Sequence, residues 1–146
     1  MQPILSCRRL LPAVALALVT LAGVTLSGAG SVFIPINSLA SNAAGGAFRV
    51  LGGRSFTSTG GLTNAGRVEV GTGSTLNVSG TYTQTAGETT INGRLAGTGP
   101  VDLQGGTLTG SGSVAPAVAI AMAASVAPGN STGVLTFEEG VDLGGT

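Results

Sequence analysis

The sequence predicts an all-β fold, a β-solenoid in which short strands stack coil on coil. Two observations carry this expectation. The chain repeats itself at a regular spacing, and its short runs alternate apolar and polar residues between glycine-rich corners. A third narrows it: 26 glycines occur in 146 residues without a Gly-X-Y period, which excludes collagen.

The repetition is explicit. "SFTSTGGLTNAGRV" at 55–68 aligns with "TYTQTAGETTINGRL" at 81–95. Phe56 falls on Tyr82, Thr57 on Thr83 and Gly61 on Gly87. After one inserted residue, Gly66-Arg67-Val68 falls on Gly93-Arg94-Leu95. "GTGST" at 71–75 continues the match in "GTGPV" at 97–101; "VDLQGGT" recurs as "VDLGGT", and "SVAP" occurs at 113 and 125. The expected spacing is therefore about 26 to 27 residues, with Val68 in line with Leu95 and Phe56 in line with Tyr82. A sandwich needs no such period, whereas stacked coils produce one, and about three or more units must stack to cover their own edges.

Each element follows in order. Val68-Glu69-Val70, Leu76-Asn77-Val78, Val101-Asp102-Leu103 and Leu108-Thr109-Gly110 alternate as half-buried strands do. Thr, Val, Ile, Tyr and Phe populate these runs, and Gly, Asn, Ser and Pro separate them where corners are needed. Asn64 and Asn92 lie near corners, where a side-chain amide can satisfy turn backbone groups. "PAVAIAMAASVA" at 116–127 reads as a strand pair, with a short helix as the alternative. Residues 55–146 form the repeat region, residues 30–54 a lead-in or cap, and the chain stops inside a repeat, as a truncated piece would.

Residues 1–29 read as an export signal. Arg8 and Arg9 supply the positive start, Leu10 to Leu26 the apolar helix, and Ser27, Gly28 and Ala29 a cleavage site near Ala29. An uncleaved anchor is the rival, although as a helix this stretch spans roughly 25 Å against ~30 Å of hydrocarbon. Cys7 precedes the apolar stretch, unlike a lipobox cysteine, and "CRRLLP" matches a twin-arginine signal poorly.

Charge and residue types exclude several function classes. The formal net charge is zero, with six arginines and no lysine, so no basic patch for nucleic acid is expected. Histidine is absent and Cys7 sits in the signal, which removes Ser-His-Asp and Cys-His sites; the lack of lysine removes Ser-Lys sites and P-loops. No Asp ladder for calcium is present.

"NAGRVEVGTGSTLNVSGTYTQTAGETTINGRLAGTGPVDLQGGTLTGSGSV" resembles the passenger repeats of bacterial autotransporters and related surface proteins. "VAPGNSTGVLTF" at 126–137 resembles the P-G-N-S-x-G-x-L motif of such passengers. The resemblance covers residues 55–146 and implies a right-handed parallel β-helix, exported and displayed at the cell surface, outer-membrane associated or secreted. No β-barrel translocator follows in this chain. The motif itself reads as a corner at Pro128, Gly129 and Asn130 leading into a strand with Val134, Leu135 and Phe137.

The expected role is structural or adhesive, with no catalytic, cofactor-binding or metal-ligating residue. The partners this implies are host-surface or glycan ligands, another copy at the open solenoid ends, and the export machinery through residues 1–29. A non-functional truncated fragment is one alternative. A carbohydrate-active β-helix enzyme is another, and it would rest on Glu69, Glu88 and Asp102, of which Glu69 and Asp102 would have to meet across coils. Glu138 and Glu139 are adjacent and would diverge on a strand. Arg67 and Arg94, as equivalent repeat positions, would form a ladder for anionic glycans or simply solubilise strands. Tyr82 and Phe56 would be core aromatics or a sugar-stacking platform. Asn77-Val78-Ser79 and Asn130-Ser131-Thr132 are sequons that matter only in a glycosylating host.

Overall fold

Neighbouring residues of a strand point to opposite sides, so each apolar-polar run buries one side and exposes the other. A computed structural model, describing residues 23–28, 34–129 and 133–144, carries this through 17 strands. They run β1 (Val24–Ser27), then, after a 3-10 turn at Ile34–Ser38, β2 (Ser41–Asn42) and β3 (Ala47–Leu51). Next come β4 (Ser55–Ser58), β5 (Leu62–Asn64), β6 (Arg67–Val70), β7 (Thr75–Val78), β8 (Tyr82–Gln84) and β9 (Glu88–Ile91). The series continues with β10 (Arg94–Gly97), β11 (Val101–Leu103), β12 (Gly106–Gly110) and β13 (Ser113–Val114). It closes with β14 (Val118–Ala121), β15 (Ala124–Pro128), β16 (Thr136–Phe137) and β17 (Val141–Gly144).

All strand pairs are parallel, and three sheets form. The first is β1-β3-β6-β9-β12-β15, the second β4-β7-β10-β13-β16, and the third β2-β5-β8-β11-β14-β17. From β2 onward the chain visits the sheets in turn and climbs one coil after every third strand, while between β1 and β2 it makes the 3-10 turn in place of a second-sheet strand; the result is a parallel β-solenoid. The expected strands at 68–70, 76–78, 101–103 and 108–110 are present, and 116–127 is the strand pair β14 and β15 rather than a helix. Stacking begins before residue 55, and inside the expected signal: β1 and β3 belong to the first sheet and β2 to the third. Val24–Ser27 is therefore a paired strand rather than the end of the expected Leu10–Leu26 helix, whose remainder lies outside the described residues.

The expected spacing is corrected. Phe48 sits beside Val68, Val68 beside Thr89 and Thr89 beside Leu108. One coil therefore takes about 20 residues, at the short end of solenoid repeats. Val68 is in line with Phe48 and Thr89, and Leu95 belongs to a different sheet, between Leu76 and Val114. Phe56 lies beside Leu76, and Tyr82 between Leu62 and Val101. One coil contains three similar strand-and-corner units. The longer spacing matched one whole coil plus one such unit, so it compared strands of different sheets.

The core runs along the inside of the column. Val50, Val68, Val70, Leu76, Leu95, Leu103 and Leu108 are fully buried, and each such side chain stabilises the fold by roughly 1.5–3 kcal/mol. Phe48 of the first sheet meets Phe56 of the second edge-to-face, with ring centroids 5.1 Å apart. Glycine columns make the corners. Gly66, Gly87 and Gly106 stack above Gly46, and a β-carbon on each of those three would lie only 2.0 to 2.4 Å from the carbonyl oxygen of the glycine below.

One part of the interior is polar. Asn42, Asn64 and Gln84 are neighbours in the third sheet, all pointing inward. Asn42 Nδ2 donates to Asn64 Oδ1 (2.8 Å), and Asn64 Nδ2 donates to Thr89 Oγ1 (3.2 Å). Thr89 Oγ1 donates to Gln84 Oε1 (2.5 Å), and Gln84 Nε2 donates to the Gly105 carbonyl (3.0 Å). Thr89 has spent its proton on Gln84, so the Tyr82 hydroxyl donates to Thr89 across 2.6 Å. Asn64 Oδ1 also accepts from Gly66 N (3.1 Å), the corner role expected for this residue.

Burial pushes the Tyr82 phenol well above its ordinary value of 10.0, with the Thr89 and Asn64 side chains opposing more weakly. The folded chain therefore holds this proton more tightly than the unfolded chain. The contribution is intact below pH 10 and is lost as pH rises above it. Tyr82 is the only tyrosine and there is no lysine, so the effect is separable. Tyrosinate absorbance is expected to appear together with loss of the β circular dichroism signal. Ionisation near pH 10 with the fold intact would contradict the buried phenol.

Candidate functional site

The same alternation that fills the core builds a polar exterior. On the first sheet one outward row reads Arg49, Glu69, Thr90 and Thr109, and the next reads Arg67, Glu88, Thr107 and Ser125. Arg49 Nε approaches Glu69 Oε2 at 3.2 Å, though without the alignment of a hydrogen bond. Arg67 Nη1 stands 3.9 Å from Glu88 Oε2. Thr90 Oγ1 donates to Glu88 Oε1 (3.2 Å), and Thr109 Oγ1 donates to Thr90 Oγ1 (3.1 Å), which continues the row as hydroxyls. The third sheet presents Ser41, Thr63, Thr83 and Asp102 outward, and the second Ser55, Thr75, Arg94 and Ser113. Each face is thus a ladder of polar side chains at the spacing of parallel strands, about 4.8 Å.

The expected candidate residues are dispersed over this surface. Glu69 lies on the first sheet and Asp102 on the third, so they do not meet across coils. Glu88 is on the first sheet with Arg67. Arg67 and Arg94 sit on different sheets and form no ladder; only the longer spacing had made them equivalent. Glu138 and Glu139 do diverge: Glu138 makes a two-pronged ion pair with Arg94, and Glu139 Oε2 accepts from Ala117 N (3.1 Å). Phe56 and Tyr82 are buried, on different sheets, as core aromatics rather than a stacking platform.

Asn77 is half-buried with its side chain on the outward side of β7; Asn130 lies outside the described residues. In "VAPGNSTGVLTF", Pro128 ends β15 and Gly129 has φ +81°, a corner as expected. Leu135 is buried and Phe137 half-buried, but Val134 is exposed and the following strand is only Thr136–Phe137. Asn92 Oδ1 accepts from Ser111 N (3.3 Å), linking successive corners.

Shallow depressions mark the surface of the described residues. One, about 420 Å³, lies over the glycine corner at Gly46, Gly66 and Gly87 and is rimmed by Arg67 and Glu88. Another, about 310 Å³, is lined by Pro100, Val118, Val141 and Asp142 among others. Among the described residues, no three His, Cys, Asp or Glu side chains are grouped to hold a metal ion, and no helix is long and apolar enough to cross a membrane.

The Arg94–Glu138 pair fastens β10 to the bend after β16, reaching past β13. Both side chains are more than a third exposed, so solvent screens the pair. Replacing Arg94 by Ala is expected to cost less than about 1 kcal/mol by urea denaturation, with the small difference fading in high salt.

The buried Asn42, Asn64, Gln84 and Thr89 group was not foreseen as a network. A signal existed: Ser41-Asn42, Thr63-Asn64 and Thr83-Gln84 are hydroxyl-amide pairs that recur once per coil. Comparison with known proteins finds no matching family model, no matching curated protein and no matching solved structure.

Proposed function

We propose that this chain is an exported structural segment, a β-solenoid stalk or passenger piece displayed at the cell surface, that makes multivalent contacts through its polar ladders and catalyses no reaction. The observation that carries this reading is the regular outward row Arg49, Glu69, Thr90, Thr109 beside Arg67, Glu88, Thr107, Ser125. Its charges are offset within the row, and its hydroxyls recur coil after coil. Such a surface suits many weak hydrogen bonds to an extended polar ligand such as a glycan, where affinity comes from repetition. The repeat resemblance to autotransporter passengers and the leader-like residues ahead of β1 support the surface location.

The test uses the full chain expressed in a Gram-negative host. Digestion of intact cells by an added protease is expected to remove it, and the purified protein is expected to be retained on polysaccharide resins without releasing new reducing ends. Protection from protease in intact cells would overturn the surface location. Release of reducing ends that disappears in Glu69→Ala, Glu88→Ala or Asp102→Ala variants with the fold retained would favour the polysaccharide-acting alternative.

A further inference from the structure

The end of the apolar N-terminal stretch is a working strand of the solenoid. β1 pairs with β3 along its whole length, Val24 with Phe48, Thr25 with Arg49, Leu26 with Val50 and Ser27 with Leu51. Leu26 is buried at 7% exposure and belongs to the hydrophobic core. Thr25 extends the outward row that holds Arg49 and Glu69. A leader removed after Ala29 would take β1 with it. It would uncover the outer edge of β3, leaving backbone donors and acceptors open to pairing with another chain.

A second stretch of the sequence avoids this loss. Thr20-Leu21-Ala22 sets small side chains on either side of Leu21, the small-x-small pattern that leader cleavage needs. The apolar region before it, Leu10 to Val19, falls within the roughly 7–15 residues of a secretory leader's apolar core; continued to Leu26 it exceeds that range.

We infer that the mature protein begins at Gly23: processing hydrolyses the Ala22–Gly23 peptide bond, and Val24–Ser27 stays as the first strand of the column. Water adds across that bond, leaving a carboxylate on Ala22 and an amino terminus on Gly23. This inference rests on the export reading above and assigns where the leader ends.

The test is N-terminal sequencing and intact mass of the full chain recovered from the envelope or medium of an exporting host. Gly23 is the expected first residue. An exported chain beginning at Gly30, at another residue after Gly23, or still at Met1 overturns the inference and leaves export standing. A chain found only in the cytoplasm with Met1 intact overturns both. Two variants check the assignment independently of folding, because precursor and product are read by mass. Ala22→Arg is expected to accumulate precursor, while Ala29→Arg is processed like the parent chain. The reverse pattern would place the cut after Ala29.

Discussion

Replacing Gly87 by Ala is expected to destabilise the solenoid by about 3 kcal/mol, read as a lower urea midpoint with an unchanged slope. Two effects add. Gly87 has φ +71°, a conformation that strains a residue with a β-carbon by about 1–3 kcal/mol. That β-carbon would also lie 2.0 Å from the Gly66 carbonyl oxygen and 2.7 Å from that of Ala65. The Gly66 oxygen accepts the Glu88 N–H at 2.9 Å, so moving it aside weakens the link between coils. Native domains hold only about 5–15 kcal/mol in reserve, so a loss of this size is large. Gly60→Ala is the control. Its β-carbon would meet nothing within 4 Å, and the change is expected to stay within about 0.5 kcal/mol. Equal losses at the two positions would remove corner stacking as the cause.

The second large effect is expected at Thr89. Thr89→Val keeps the shape and deletes the hydroxyl that accepts from Tyr82 and Asn64 and donates to Gln84. Asn64 Nδ2 retains a long contact of 3.4 Å to the Glu88 carbonyl, but the Tyr82 hydroxyl and Gln84 Oε1 lose these partners inside the column. An orphaned buried polar group costs about 1–3 kcal/mol, so a loss of about 3 kcal/mol is expected. Thr89→Ser keeps the hydroxyl and is expected to cost about 1 kcal/mol, for the methyl group alone. Adding Tyr82→Phe to Thr89→Val should recover part of the loss, because the buried phenol hydroxyl goes too. Equal costs for Val and Ser would mean that the network contributes nothing beyond packing.

Strands and corners were legible in the sequence because they are local. The alternation in Arg67-Val68-Glu69-Val70 and Thr75-Leu76-Asn77-Val78 depends only on strand geometry, and the Gly-rich separators depend only on the corner between strands. Which strand lies above which is non-local, and there the reading failed. Units such as Phe56-Thr57 and Tyr82-Thr83 look alike because every strand meets the same demand, apolar inward and hydroxyl outward. Similarity between units therefore does not identify the coil period. The residues that do distinguish sheets are the odd ones. Asn42, Asn64 and Gln84 recur only in the third sheet, and a slip by one unit would set these amides against aliphatic columns such as Leu76 and Leu95. Their inward position is masked by the expectation that polar residues in an alternating run face solvent, and the recurring hydroxyl-amide pairs reveal it only once the coil period is known.

The spread of Glu69, Asp102, Arg67 and Arg94 over three sheets follows from the same correction. A polar residue in this fold has its row decided by its sheet, and a wrong period places it in the wrong row. Once the coil is set by the column Phe48, Val68, Thr89 and Leu108, Glu69 and Glu88 fall beside Arg49 and Arg67, and Asp102 falls beside Thr83, rather than beside one another.

Cross-linking of paired cysteines in a Cys7→Ser background tests the coil period most directly. Thr63 and Thr83 are outward neighbours on β5 and β8, one coil apart, whereas Thr57 and Thr83 are the pair that the longer spacing would bring together. Neighbouring parallel strands lie about 4.8 Å apart, within disulfide reach. Mild oxidation of the folded Thr63→Cys/Thr83→Cys chain is expected to form an intramolecular disulfide, and the Thr57→Cys/Thr83→Cys chain is expected to keep both thiols free. A disulfide in the second chain and none in the first would contradict the three-strand coil.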